Sequence, residues 1–110
     1  MSSVQSPHDA FSLTVLPERK EVWVVPTGEL DVASADTLHG KVRELRASGF
    51  EHIVVDLRRT AFMDSAGLRV LLSLRNDAVR NRQVLSLVKG SPAVQRIFDV
   101  TATRGLFDWR

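Results

Sequence analysis

The chain is expected to fold as one α/β domain, a mixed four-stranded sheet opened by an N-terminal hairpin and completed through helical crossovers, with three to four helices. Three observations predict it. Short β-branched runs alternate with longer amphipathic stretches, in the order strand, strand, helix, strand, helix, strand, helix. The run Ile53-Val54-Val55-Asp56-Leu57 is apolar on both faces, as a central parallel strand requires. At 110 residues the chain has the length of a single compact core.

Residues 1–10 are polar and aperiodic and read as a loose tail, leaving residues 11–110 for the domain. Phe11-Ser12-Leu13-Thr14-Val15 alternates with the period of a half-buried strand. Pro17-Glu18-Arg19-Lys20 reads as the turn of a hairpin. The second strand is Val22-Trp23-Val24-Val25, ended by Pro26, Thr27 and Gly28. From Ser34, the residues Leu38, Val42 and Leu45 recur at helical spacing opposite Lys41, Arg43, Glu44 and Arg46, until Ser48-Gly49 stops the helix. After the central strand a second helix opens at Asp64, whose side chain suits an N-cap, and carries Leu68, Leu71, Leu72, Leu74, Ala78 and Val79. Val84-Leu85-Ser86-Leu87-Val88 is the fourth strand. Ser91-Pro92 then caps a third helix whose inward face is Val94, Ile97 and Phe98. The apolar end, Leu106-Phe107-Asp108-Trp109, is expected to dock on the body as a short last helix.

Composition narrows the function classes. Apolar residues are 44% and charged residues 25%, ordinary globular usage. With no cysteine there is no disulfide, no thiol nucleophile and no thiolate metal site. His8, His39 and His52 have no metal-ligand spacing, so neither a metal nor another cofactor is expected. No apolar run is long enough to span a bilayer, which makes the cytoplasm the expected location and a membrane role unexpected. The +2 formal charge is scattered and aromatics are 6%, which argues against direct nucleic-acid binding.

Ser65 is the candidate functional residue. It lies between an apolar strand and an apolar helix, at the first helical turn, where free amides and the helix dipole are expected to tolerate a phosphate. A phosphate there brings about −1.5 to −2 charge onto the surface. Asp64 adds like charge, so a partner fitted to a neutral hydroxyl would meet a doubly acidic site. Gly67 lets a partner or the preceding loop approach the backbone closely.

Three segments, in order, carry a family resemblance: Gly28-Glu29-Leu30-Asp31, Phe62-Met63-Asp64-Ser65-Ala66-Gly67-Leu68 and Ser91-Pro92-Ala93-Val94-Gln95-Arg96-Ile97-Phe98. They resemble the STAS-domain anti-sigma factor antagonists, over nearly all of residues 11–109. The resemblance implies a non-enzymatic switch. An unphosphorylated antagonist of this family binds an anti-sigma factor, often itself the serine kinase, and so releases a sigma factor; a separate phosphatase resets it. Carried over by motif, Ser65 is the phosphoacceptor. The implied partner-binding surface comprises Gly28, Glu29, Leu30, Asp31, Asp64, Ser65, Ala66, Gly67 and Leu68. For Asp31 a capping role stands beside partner contact; Asp56 reads as structural. The family often has a second Ser where this chain has Ala66. Arg58 and Arg59 are a further departure, two cations able to hold a phosphate or remain a solvated loop.

Rival readings fit less well. A nucleophile elbow needs Gly where Met63 stands, and no His follows Ser65 to act as base. A phosphoaspartate receiver gathers an acid pair after its first strand, whereas this chain begins with a hairpin. The same domain also serves in larger sensory assemblies and as an accessory subunit of membrane lipid transporters, and fold alone does not separate these uses.

Overall fold

The computed structural model describes residues 11–110, so the tail expected at residues 1–10 lies outside the described residues. The elements run β1 (Ser12–Glu18), β2 (Glu21–Leu30), α1 (Val32–Ala47), β3 (His52–Asp56), β4 (Thr60–Met63), α2 (Ser65–Arg80), β5 (Val84–Val88), α3 (Pro92–Val100) and β6 (Asp108–Trp109). Short 3-10 turns occupy Leu57–Arg59 and Arg104–Leu106. The sheet is mixed, as expected, but among the described residues it has six strands rather than four. Its order is β1-β2-β3-β5-β6, with β4 paired to β2. Of these described strands, only β1 is antiparallel to its neighbour.

Both unexpected strands are short. β4 follows β3 after a single 3-10 turn, and β6 extends the sheet beside β5 where a last helix was expected. Two prolines that read as breakers sit inside strands. Pro17 lies in β1, which as an edge strand can lack an amide, and the hairpin turn shrinks to Arg19 and Lys20. Pro26 falls in the gap between the part of β2 paired to β3, ending at Val24↔Val55, and the part paired to β4, starting at Gly28↔Thr60. Its carbonyl accepts from the buried Thr60 hydroxyl at 2.9 Å, which stitches the gap.

The core is built from Val22, Val24, Ile53, Val55 and Leu87 on the strands, closed by Leu38, Val42, Leu71 and Phe98 on the helices, each at most 1% exposed. α1 and α2 pack against each other, as successive right-handed crossovers in one direction require.

At the hairpin end Glu21 ties the start of β2 to the last residue of the chain. It accepts from Arg110 Nη2 at 2.6 Å and from the Trp23 indole nitrogen at 2.9 Å. Those donors, Arg110 first, hold its carboxyl at about 2 against an ordinary 4.5. A carboxyl depressed by folding contributes stability that is complete above its ordinary pKa and lost as pH falls through the folded value. Glu21→Gln is therefore expected to flatten the acid-side decline in the urea midpoint between about 4.5 and about 2. Parallel declines in wild type and variant would refute this role.

Candidate functional site

β2 and β4 end side by side and in parallel, with Leu30 paired to Met63. The next residue of each segment is an aspartate, and each aspartate caps a helix. Asp31 Oδ1 accepts from the amides of Ala33 at 3.0 Å and Ser34 at 3.2 Å. Asp64 Oδ1 accepts from those of Ala66 at 2.9 Å and Gly67 at 3.2 Å. The same strand, aspartate, helix unit thus occurs twice, and strand pairing sets the two helix starts next to each other.

Two contacts lock the units together, and a third braces one of them from within. The Asp64 amide donates to Leu30 O at 3.3 Å, crossing from one unit to the other. Ser34 Oγ donates to Glu29 O at 2.6 Å and accepts from the Asp31 amide at 3.0 Å, which fixes the strand end to α1. At Gly67 the first turn of α2 is pressed onto Leu30. A Cβ there would stand 2.7 Å from both Leu30 O and Met63 Cγ.

Ser65 is the first residue of α2 and is exposed. Its hydroxyl makes no hydrogen bond among the described residues. Glu29 is exposed too, while Gly28, Asp31, Asp64 and Ala66 are partly exposed. Leu30, Gly67 and Leu68, expected in the same partner-binding surface, are buried, because they fill the space beneath the two helix starts. They shape that surface from below. Gly28 to Leu30 is also strand rather than loop, since β2 runs on past Pro26 with Gly28 at a φ of 103°.

Three of the amides expected to receive a phosphate at this helix start are not free. Asp64 already holds those of Ala66 and Gly67, and the Leu68 amide bonds Asp64 O at 3.1 Å. Arg58 is equally committed. Its guanidinium grips both carboxylate oxygens of Asp56, with Nη2 to Oδ2 at 2.8 Å. Burial pushes the Asp56 carboxyl up, but the Arg58 hydrogen bonds outweigh this and leave it below its ordinary value. Asp56 also caps the following 3-10 turn through the Arg58 amide, the structural role expected of it. Arg59 is exposed and has no ion-pair partner among the described residues.

Two apolar residues on the elements that form these helix starts are exposed. Phe62 is 50% exposed on β4, and Val32 is 74% exposed at the first position of α1. Exposed aromatic and aliphatic groups beside a polar centre are what a protein interface uses as anchors. Val32, Ala66 and Arg69 also line a shallow groove of about 330 Å³ between α1 and α2. The row Ser65, Arg69, Ser73 along α2 has a four-residue polar spacing that the sequence itself displays. The exposure of Phe62 has no such signal, because it depends on β4.

The remaining candidates are structural. Ser91 Oγ accepts from the Val94 amide at 3.3 Å, with Pro92 at the first helical position. Trp109 packs edge-on against Phe98, centroids 5.0 Å apart. Among the described residues no cluster of three or more His, Asp or Glu is placed to hold a metal, and no helix is long and apolar enough to cross a membrane.

Comparison with known proteins agrees with this architecture. The structure superposes on an anti-sigma factor antagonist from Mycobacterium paratuberculosis with a TM-score of 0.80 at 22% identity, covering 96% of this chain and 89% of that one. It superposes on the unphosphorylated form of the antagonist SpoIIAA with a TM-score of 0.74 at 24% identity, covering 92% and 88%. In sequence it is 29% identical over 79 residues to an anti-sigma-B factor antagonist of Staphylococcus aureus (strain NCTC 8325 / PS 47), 72% of this chain and 73% of that protein. The STAS domain model matches residues 14–109, nearly the whole of the described fold, and the chain belongs to the STAS-domain family.

Proposed function

We propose that this protein is an anti-sigma factor antagonist acting in the cytoplasm without enzymatic activity of its own. Unphosphorylated, it binds an anti-sigma factor with serine-kinase activity and so frees a sigma factor. Phosphorylation of Ser65 ends that binding, and a phosphatase restores it. The observation that carries this reading is the Ser65 hydroxyl: exposed and unbonded among the described residues, at a helix start whose preceding strand and neighbouring helix expose Phe62 and Val32. The names of the sequence relatives support the same role.

The surface is suited to switching because its scaffold does not depend on Ser65. Asp64 supplies the cap, and Leu30, Gly67 and Leu68 supply the packing. A phosphate on Ser65 therefore leaves the fold intact while placing a hydrated dianion amid the groups a partner would cover. Such like-charge and desolvation penalties amount to several kcal/mol at an interface.

The test is incubation with the cognate kinase and ATP followed by peptide mass mapping. Phosphate is expected on Ser65, and Ser65→Ala should bind the anti-sigma factor constitutively. Ser65→Glu should weaken binding about 30-fold or more, corresponding to about 2 kcal/mol. Phosphate found only at another residue would overturn the assignment.

A further inference from the structure

A phosphate on Ser65 would draw a counter-charge, and three amides of its own helix start are already taken. Those of Ala66 and Gly67 are held by Asp64 Oδ1, that of Leu68 by Asp64 O. A full positive charge comes only from a side chain. Arg58 is bound to Asp56 through two guanidinium nitrogens. Arg69 is exposed, lines the groove beside Ala66, and has no hydrogen bond or ion pair among the described residues.

Helix geometry brings Arg69 to the right place. Residues four apart lie on one face, with Cβ atoms about 5 to 6 Å apart. Side chains on a helix lean toward its N-terminus, so a long side chain at position 69 points back over position 65. The acid-before-base order is also the favourable one for such a pair. A phosphate offers three acceptor oxygens to a planar, forked donor.

We infer that Arg69 is the internal counter-ion of phosphorylated Ser65. The inference rests on Ser65 being the modified residue, and it changes what modification does. Phosphorylation then acts twice: it adds a dianion to the surface, and it withdraws from that surface an arginine that was open to a carboxylate of the partner. The groove that Arg69 lines also holds Asp36 of α1, whose carboxylate competes with the phosphate for the same guanidinium.

The experiment places phosphoserine at position 65 during synthesis, so no kinase is needed, and follows the phosphate by ³¹P NMR across its second ionisation. In R69Q the titration midpoint is expected to rise by about 0.3 pH unit or more relative to the Arg69 protein, since the paired dianion loses its cation. R59Q, removing the other uncommitted arginine near the motif, should leave the midpoint in place. In the protein retaining Arg69, its Nε–H resonance should shift on phosphorylation, a readout independent of any variant's folding. Equal midpoints in R69Q and the parent, a shift produced by R59Q instead, or an unmoved Arg69 resonance would overturn the pairing. Failure of the kinase to modify Ser65 would instead overturn the proposed function and leave the NMR result standing.

Discussion

Gly67→Ala is expected to destabilise the domain by about 2 kcal/mol although it replaces a poor helix former with the best one. On an open helix the change is favourable by up to about 1 kcal/mol. Gly40 in α1 is such a site, where an added Cβ would meet nothing within 4 Å, and Gly40→Ala should raise stability by about that much. At Gly67 the added methyl meets Leu30 O and Met63 Cγ at 2.7 Å, and Leu30 Cγ at 3.1 Å. Met63 can shift its side chain. The Leu30 carbonyl cannot move without disturbing β2 and the bond it accepts from the Asp64 amide. Overpacking against backbone costs about 1 to 3 kcal/mol, sometimes more, which outweighs the propensity gain. Urea unfolding of both variants gives the comparison. Equal effects at the two glycines would show that the Leu30 contact is dispensable.

The damage at Gly67 should extend to the switch. Leu30 and Met63 are the last residues of the paired strands, so separating them separates the two helix starts that flank Ser65. Amide chemical-shift changes are expected at residues 28–34 and 62–68, together with weaker anti-sigma factor binding per folded molecule.

What the sequence disclosed and what it concealed follow from how local each feature is. Caps depend on one side chain and the next three amides, which is why Asp64 and the Ser91-Pro92 pair are readable. The start of α1 lies two residues ahead of the expected Ser34 because Asp31 and Ser34 both suit a cap; the structure uses them together, in a reciprocal capping box. β4 cannot be read from period. Thr60 and Met63 are buried with exposed Ala61 and Phe62 between them, a pattern that reflects pairing with β2 rather than alternation. Pro17 and Pro26 read as ends of strands because proline breaks a ladder in general. Whether it does so here depends on an edge and on a gap, both set by distant segments. The site shows the same division. Ser65 at a helix start is legible, but the prior claim of the Asp64 side chain on two of its amides is not.

Phe98→Ala should have the larger thermodynamic effect and the smaller functional one. Phe98 is fully buried on α3 and meets Phe107 and Trp109 edge-on, with centroids 5.5 and 5.0 Å away. Truncating a buried phenylalanine costs about 3 to 5 kcal/mol, roughly a fifth or more of the stability of a typical small domain. The loss also releases the partners that hold β6 against β5, since Trp109 lies in that strand and Phe107 directly precedes it. α3 itself packs on β4, but the β2–β4 pairing is held by the strand ladder and by the Thr60 hydroxyl on Pro26 O rather than by Phe98. Molecules of F98A that remain folded should therefore keep the β2–β4 juxtaposition and be phosphorylated at Ser65 at the wild-type rate, measured at low temperature with the folded fraction determined in parallel. Gly67→Ala should do the reverse, keeping more stability and losing more binding. If F98A instead lost phosphorylation in proportion to more than its unfolded fraction, the switch surface would have to extend through α3 to the far edge of the sheet.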